Sequence, residues 1–206
     1  MRIGGLTAAC GFHRSGCRLR FPRWAIGAGM AALLALPAPA LAEPSTDPWA
    51  DAVFERIAER LSLMRSVAAW KRANRVAVED RAREALVLEN AIGAATAAGL
   101  DPATARPFFE AQIEAAKDVQ RCWIGRWEAN KAPPPQSAPD LTTEIRPALL
   151  ELDRALLDSI EAALAQNIAF DETRAADYAA TADIDCLSAL RRDFVYRRLG
   201  QLRLAE

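Results

Sequence analysis

The stretch WADAVFERIAERLSLMRSVAAWKRA, residues 49–73, decides the predicted fold. Its apolar residues recur at steps of three and four, the spacing of one face of an α-helix. The members of this face are Val53, Ile57, Leu61, Met64 and Val67. Asp47 precedes the stretch as a candidate N-cap, and Pro48 stands in the first turn. The pattern therefore predicts an amphipathic helix over about 47–73.

Helical spacing continues beyond this stretch, and no segment alternates convincingly with the period of two that marks a strand. Further helices are predicted at about 80–99 and 101–130, ahead of a proline-rich linker at 131–140. A fourth helix is predicted from the face Ile145, Leu149, Leu152, Leu156 and Ile160. A fifth, capped by Asp171, is predicted from Tyr178, Ala182, Cys186, Leu190 and Phe194. We expect an all-α, single-domain bundle of about five helices.

The first 42 residues carry the pattern of a cleavable signal peptide. Five arginines and no acidic residue are followed by an apolar run that is short for a membrane span and ends in Ala-Leu-Ala. We expect cleavage after Ala42, which would leave one domain at 43–206 in the periplasm or outside the cell. No membrane attachment is expected after cleavage. The alternative is a retained membrane anchor.

Cleavage would change both the charge and the available chemistry of the chain. Losing five arginines and no acid changes the net charge from −1 to about −6, whereas nucleic-acid binders normally carry a positive charge. His13, the single histidine, would also be removed, so neither a catalytic triad nor a common zinc site is expected. Cys122 and Cys186 would remain, either as one disulfide or as two buried thiols.

Two cations fall on the apolar side of the first predicted helix. Arg60 and Lys71 lie eleven residues apart within its apolar arc, and Arg83 follows on the next helix. A cation inside a bundle costs several kcal/mol unless an anion meets it. The structural alternative is an internal ion pair, or a long side chain that extends to solvent. A ligand site is the other interpretation.

The third predicted helix places a polar side chain among apolar ones. Gln120 lies on the face of Phe109, Ile113, Ala116, Trp123 and Trp127, and Gln112 lies on the same side. A buried amide requires hydrogen-bond partners, which a neighbouring helix could also supply. Combined with the three cations, Gln120 predicts an interior cationic pocket with aromatic walls. Arginine binds carboxylates in a bidentate manner, so the expected ligand is a small organic dicarboxylate.

These residues resemble those of the all-α, type II chorismate mutases. The resemblance rests on the sequences around Arg60, Lys71 and Gln120, and on the spacing of Lys71, Asp80, Arg83 and Glu84 by nine, three and one residues. The leader, the segment LDPATARPFFEAQIEAA, the proline-rich linker and the additional C-terminal helices resemble the secreted, periplasmic subclass. The resemblance covers about 51–164, the predicted catalytic core.

The resemblance implies an isomerase that converts chorismate to prephenate by an intramolecular Claisen rearrangement. Such an enzyme needs no cofactor and forms no covalent intermediate, and a homodimer is typical of the family. Its task is to hold a flexible dianion in the reactive conformation and to stabilise negative charge on the ether oxygen. The alternative function is a non-catalytic exported helical protein that binds a small organic dicarboxylate or a partner. A purely structural bundle is a third interpretation.

The resemblance also implies roles for individual residues. Lys71 and Gln120 would donate hydrogen bonds to the ether oxygen. Asp80 or Glu84 would meet the ring hydroxyl or orient the cations. The two carboxylates would be held by three arginines, namely Arg60, Arg83 and Arg146. The alternative for the last of these is an exposed arginine in the first turn of its helix.

Two positions depart from the family pattern. Ala116 stands where the family often has serine or threonine, and a hydrogen bond of about 1 kcal/mol to a substrate carboxylate is expected to be missing. Val87 stands where some secreted members carry a polar residue. Neither position supplies an ether-oxygen donor, so both are expected to affect efficiency more than reaction type.

Overall fold

The computed structural model describes residues 47–206, so the predicted signal peptide at 1–42 lies outside the described residues. The described part consists of α-helices and contains no β-strand; an isolated bridge pairs Leu100 with Leu204. The all-α prediction is therefore confirmed. The helices are α1 (Pro48–Ser62), α2 (Met64–Ala73), α3 (Arg81–Ala97), α4 (Pro102–Glu128), α5 (Arg146–Ala165), α6 (Ala175–Thr181) and α7 (Ala189–Leu199).

The predicted helix over 47–73 is two helices, α1 and α2, separated at Leu63. Leu63 keeps right-handed helical angles, and its N–H still bonds the Glu59 carbonyl at 3.2 Å. The interruption is therefore slight. Asp47 caps α1 as predicted, since its Oδ1 accepts a hydrogen bond from the Trp49 N–H at 3.0 Å.

Helices α3 and α4 begin at the aspartates that the sequence indicated. Asp80 accepts a hydrogen bond from the Arg83 N–H at 3.0 Å, and Asp101 accepts one from the Ala103 N–H at 2.9 Å. Gly99 separates the two helices with a left-handed φ of 76°. Glycine adopts that conformation without steric cost, which explains the sharp turn at this position.

The predicted single fifth helix is wrong. A short 3₁₀ turn over Glu172–Arg174 leads into α6, residues 182–188 are not helical, and α7 begins with Ser188 as its N-cap. Cys186 has a left-handed φ of 73°, which breaks any continuous helix there. Leu190 is 77% exposed, so the four-residue steps do not mark one buried face.

The helices share one core. Helix α1 packs chiefly on α5, whereas α4 lies against α2, α3 and α7. The C-terminal helices join this core through Tyr178 and Tyr196, whose ring centroids lie 5.3 and 6.0 Å from that of Phe54. A disulfide joins Cys122 of α4 to Cys186, with their Cα atoms 5.6 Å apart. The disulfide alternative for the two cysteines is therefore the one that the structure contains.

Among residues 47–206, no helix combines the length and the apolar character that crossing a bilayer requires.

Candidate active site

A cavity of about 270 Å³ lies between the first five helices. Its walls are apolar side chains of α2 to α5 and of the loop between α2 and α3, together with a group of charged and polar ones that includes Arg60 of α1. All seven site residues predicted from the sequence line it, namely Arg60, Lys71, Asp80, Arg83, Glu84, Gln120 and Arg146. Lys117, which was not predicted, lines it too. Five cations thus face two acids, so the cavity suits an anion.

Arg60 is the most buried arginine of this cavity. It is 7% exposed, and its Nε donates a hydrogen bond to Oδ1 of Asp153 on α5 at 2.6 Å. Its Nη1 is buried and has no hydrogen-bond partner within the described part of the chain. One edge of the guanidinium is therefore fixed by an ion pair, while Nη1 on the other side is a hydrogen-bond donor that has no partner among these residues.

Lys71 reaches the cavity from the end of α2. Its Nζ donates a hydrogen bond to the Val78 carbonyl at 2.7 Å, which ties it to the loop before α3. Burial lowers the pKa of Lys71, and Arg146 acts in the same direction, whereas Asp80 and Glu84 oppose the shift. Two of the three ammonium hydrogens remain available for a ligand.

The start of α3 is organised by reciprocal capping. Asp80 accepts from the Arg83 N–H, and the Asp80 N–H donates to Oε1 of Glu84 at 3.0 Å. This arrangement fixes the backbone from which the exposed Arg83 side chain reaches the cavity. The Asp80 carboxylate thus has two functions: it caps α3 by accepting the Arg83 N–H, and it lines the cavity.

Lys117 is the site residue that the sequence interpretation missed. It is 7% exposed, and its Nζ lies 2.7 Å from Glu114, 2.9 Å from Glu84 and 3.8 Å from Glu79. Burial alone would lower the pKa of Lys117, but Glu114 and Glu84 together raise it. A helical wheel could have found Lys117, because it lies one turn after Ile113 on the apolar face of α4.

Gln120 is 5% exposed, as expected for a residue on the apolar face of α4. Its Nε2 donates to the thioether sulfur of Met64 at 3.4 Å, and its buried Oε1 lacks a partner among residues 47–206. A thioether is a weak acceptor, so this donor can be redirected to a better one at little cost. A neighbouring helix therefore supplies a hydrogen-bond partner for Nε2 of Gln120, but within this part of the chain there is none for its Oε1.

Arg146 stands at the first position of α5, immediately after a π-helical turn over Leu141–Ile145. Asp140 caps this turn, accepting hydrogen bonds of 2.8 Å from the N–H groups of Thr142 and Thr143. These two bonds lower the pKa of the Asp140 carboxyl. Arg146 is partly buried and lines the cavity, so the exposed-arginine alternative does not hold.

The two departures from the family pattern also line the cavity. Ala116 and Val87 contribute apolar wall, beside Met64, Val67, Trp70, Ile113 and Leu149. A second cavity of about 350 Å³ adjoins the first and shares Arg60, Arg83 and Arg146 with it. Among residues 47–206 there is no group of three His, Cys, Asp or Glu side chains that could hold a metal ion.

Comparison with known proteins identifies relatives of this site and fold. Residues 47–121 match the family model described as chorismate mutase type II. A secreted chorismate mutase of Yersinia pestis is 35% identical over 104 residues, 50% of this chain and 55% of that protein. A secreted chorismate mutase of Mycolicibacterium smegmatis is 33% identical over 108 residues, 52% of this chain and 59% of that protein. The chain thus spans about half the length of the curated relatives it matches.

Solved structures extend the similarity over most of the described fold. The crystal structure of secreted chorismate mutase from Yersinia pestis has a TM-score of 0.66 and 27% identity, covering 74% of this chain and 97% of that chain. Chorismate mutase from Burkholderia thailandensis gives a TM-score of 0.60 and 29% identity, covering 75% and 99%. The resemblance to secreted all-α chorismate mutases is confirmed, and residues 47–121 are the part of the chain that matches the chorismate mutase type II family model.

Proposed function

We propose that the chain is a chorismate mutase, an isomerase that converts chorismate to prephenate by an intramolecular Claisen rearrangement. The observation that carries this proposal is the convergence of the predicted cations and Gln120 on one apolar-walled cavity. The match of residues 47–121 to the chorismate mutase type II family model and the similarity to secreted chorismate mutases add support. The reaction is unimolecular, so the protein needs to supply only a reactive conformation and electrostatic stabilisation.

Lys71 and Gln120 are proposed to donate hydrogen bonds to the ether oxygen as negative charge develops on it. Both side chains have hydrogen-bond donors for a ligand. Within the described structure, two of the three ammonium hydrogens of Lys71 form no hydrogen bond, and Nε2 of Gln120 donates only to a thioether. Asp80 and Glu84 favour the charged form of Lys71, which the reaction requires. Preorganised donors in an enclosed site stabilise a transition state more than water does, because they need little reorganisation.

Three arginines are proposed to hold the two substrate carboxylates, namely Arg60, Arg83 and Arg146. The guanidinium of Arg60 is oriented by Asp153, and its Nη1 has no partner in the described part of the protein. A planar guanidinium can bind a carboxylate with two parallel hydrogen bonds, which fixes orientation as well as position. Asp80 and Glu84 are proposed to orient these cations, with Glu84 meeting the ring hydroxyl.

Direct turnover tests the proposal. Loss of chorismate absorbance is followed with the wild-type protein, with Lys71→Ala and with Arg72→Ala, the last being an exposed neighbour on the same helix that does not line the cavity. We expect wild-type turnover, a loss of at least ~100-fold in kcat/KM for Lys71→Ala, and wild-type behaviour for Arg72→Ala. Binding of chorismate without consumption by the wild type would instead support a non-catalytic binder.

We further propose that the protein is exported after cleavage of its signal peptide and that it forms a homodimer, as the sequence predicts. The relatives from Yersinia pestis and Mycolicibacterium smegmatis are described as secreted, which supports export of this chain. A periplasmic or secreted location, cleavage after Ala42 and a homodimer stay predictions. N-terminal sequencing of the exported protein tests the cleavage site, and light scattering on the purified protein gives its mass in solution.

A further inference from the structure

Lys117 sits in an unusual setting for a lysine. It lies in the middle of the longest helix, α4, it is 7% exposed, and its side chain lines the cavity. Its ammonium contacts Glu84 at 2.9 Å and Glu114 at 2.7 Å, with Glu79 at 3.8 Å. A lysine is rarely buried unless it is paired, so the three carboxylates account for its burial.

Glu84 has both of its carboxylate oxygens engaged in this arrangement. Oε1 accepts the hydrogen bond of the Asp80 N–H at 3.0 Å, and Oε2 accepts that of Lys117 at 2.9 Å. The two contacts approach from the start of α3 and from α4, so they fix the carboxylate plane at the cavity wall. Each oxygen retains a second lone pair, which leaves Glu84 able to accept from a ligand hydroxyl.

The charged groups that line the cavity together with Glu84 come from every helix around it. Asp80 and Arg83 lie at the start of α3 beside Glu84. The charged groups of the other helices are Arg60 on α1, Lys71 on α2, Lys117 and its partner Glu114 on α4, and Arg146 on α5. Burial alone would raise the pKa of Glu84, but the Lys117 hydrogen bond, the Asp80 N–H and the charges of Lys117 and Lys71 lower it. Lys117 is the cation in direct contact with it.

We propose that Lys117 is a positioning residue that holds Glu84 ionised and correctly oriented at the cavity, so that Glu84 meets the substrate hydroxyl and supports the charge of Lys71. The inference rests on the proposed function and deepens it. Nothing in the family resemblance assigned a role to this lysine. A purely structural role, in which Lys117 only joins α3 to α4, is the competing interpretation.

The pH dependence of activity separates these two interpretations. In Lys117→Met the apolar stem is kept but the charge is lost, so Glu84 becomes protonated at higher pH than in the wild type. We expect kcat/KM of Lys117→Met to fall at least ~10-fold toward acidic pH, with the midpoint of the fall at higher pH than any decline in the wild type or in Lys117→Arg. A structural role would lower activity equally at all pH values.

Two further variants assign the decline to Glu84. In Lys117→Met/Glu84→Gln nothing at position 84 can titrate, so the profile is expected to be flat at a lower level of activity. Lys131→Met removes the charge of an exposed lysine outside the cavity and is the matched control. A decline that persists in the double variant, or that appears in Lys131→Met, would overturn the proposal.

A measurement without substrate makes the inference testable apart from the enzymatic activity. Carbon-13 NMR of labelled glutamate carboxyl groups, with Glu84→Gln used to assign the resonance, follows protonation of Glu84 in the ligand-free protein. We expect the Glu84 titration to move to higher pH in Lys117→Met and to stay in place in Lys131→Met. An unmoved titration overturns the role of Lys117, whereas absence of wild-type turnover overturns only the proposed function.

Loss of the lysine leaves three carboxylates close together, which can destabilise the fold. Lys117→Met/Glu114→Gln removes one of these charges and keeps Glu84 unchanged, and it is used if the single variant does not fold. The same rise in the Glu84 titration is expected in this variant. Its absence there would count against the proposal as strongly as in Lys117→Met.

Discussion

The Nε of Arg60 donates a hydrogen bond to Oδ1 of Asp153 at 2.6 Å, which joins the last turn of α1 to α5. The Arg60 side chain is 9% exposed and that of Asp153 is 29% exposed, so the arginine of this ion pair is less accessible to solvent than the aspartate. The ion-pair alternative raised by the sequence is thus realised for one edge of the guanidinium. On the opposite edge, Nη1 is a buried donor without a partner in the described part of the chain, so the ion pair does not account for the whole guanidinium.

Asp153→Asn is expected to weaken substrate binding more than it slows the reaction. Asparagine can still accept the hydrogen bond from Nε, but it no longer offsets the arginine charge or holds the plane as firmly. We expect KM for chorismate to rise ~3- to 10-fold while kcat stays within ~3-fold, as for lost uniform binding. Asp158→Asn changes an exposed carboxylate on the same helix and is the control. Equal KM values in both variants would refute an orienting role for Asp153.

Arg83→Ala is expected to lose at least ~100-fold in kcat/KM. The exposed side chain lines the cavity, while its backbone N–H alone serves the Asp80 cap. The fold should therefore be little affected, whereas transition-state stabilisation by a carboxylate-binding arginine would be lost. Arg81→Ala is the matched control, because Arg81 is exposed at the start of the same helix and does not line the cavity.

Steady-state kinetics and melting temperature are measured for both arginine variants. Similar kcat/KM values for Arg83→Ala and Arg81→Ala would remove Arg83 from the proposed site. A large drop in the melting temperature of Arg83→Ala alone would show that its loss of activity reflects unfolding.

Gln120 predicts a kcat that is nearly flat from about pH 5 to 8, because an amide donates a hydrogen bond without titrating. In Gln120→Glu the donor exists only when the carboxyl is protonated, so kcat is expected to fall as pH rises through that range. Burial of position 120 raises the pH at which such a carboxyl ionises. Steady-state rates across this range check both expectations.

Gln166→Glu, an exposed change just after α5, is the control for the added negative charge. It should keep the flat profile. A steep loss of wild-type kcat between pH 5 and 8, or a flat profile in Gln120→Glu, would exclude Gln120 as an ether-oxygen donor.

Tyr196 predicts a decline in stability at alkaline pH. Its hydroxyl donates to the Asp171 carbonyl at 2.6 Å, and burial raises the pKa of Tyr196 to about 12. The unfolded chain releases this proton near pH 10, so the stabilisation is complete below pH 10 and is lost as pH rises toward 12. Tyr196→Phe is expected to be less stable at pH 8 but to lose less stability between pH 10 and 12. Urea unfolding at several pH values measures the difference, and parallel declines would contradict it.

The sequence identified residues that line the cavity, but it did not predict the C-terminal helices correctly. Arg60 and Lys71 could be assigned to the inward face of the first predicted helix because a helical wheel is nearly unaffected by the slight break at Leu63. The fifth helix failed because four-residue steps of apolar residues also arise by chance, and a cysteine with positive φ carries no sequence signal. Lys117 lies on the apolar face of α4 in a helical wheel, but the sequence does not show the Glu84 carboxylate of α3 that stabilises its burial, since the tertiary fold brings the two together.

The disulfide between Cys122 and Cys186 is expected to stabilise the protein without contributing to the cavity. It links residues separated by 64 positions, so in the chain-entropy description it constrains the unfolded chain by about 4 kcal/mol. It also joins the non-helical segment 182–188, between α6 and α7, to α4. Neither cysteine lines the cavity. Stability and catalysis should therefore respond differently to its removal.

Cys122→Ser/Cys186→Ser is expected to melt about 8–16 °C below the oxidised wild type, since 1 kcal/mol corresponds to roughly 2–4 °C in a domain of this size. Its kcat and KM at 25 °C should stay within ~2-fold of the wild-type values, because the cavity lies among the first five helices. Reductant should lower the melting temperature of the wild type and leave that of the double variant unchanged. If the double variant melted with the oxidised wild type, the disulfide would contribute no net stability, and the packing of α7 on α4 together with the aromatic contacts with Phe54 would hold α6 and α7.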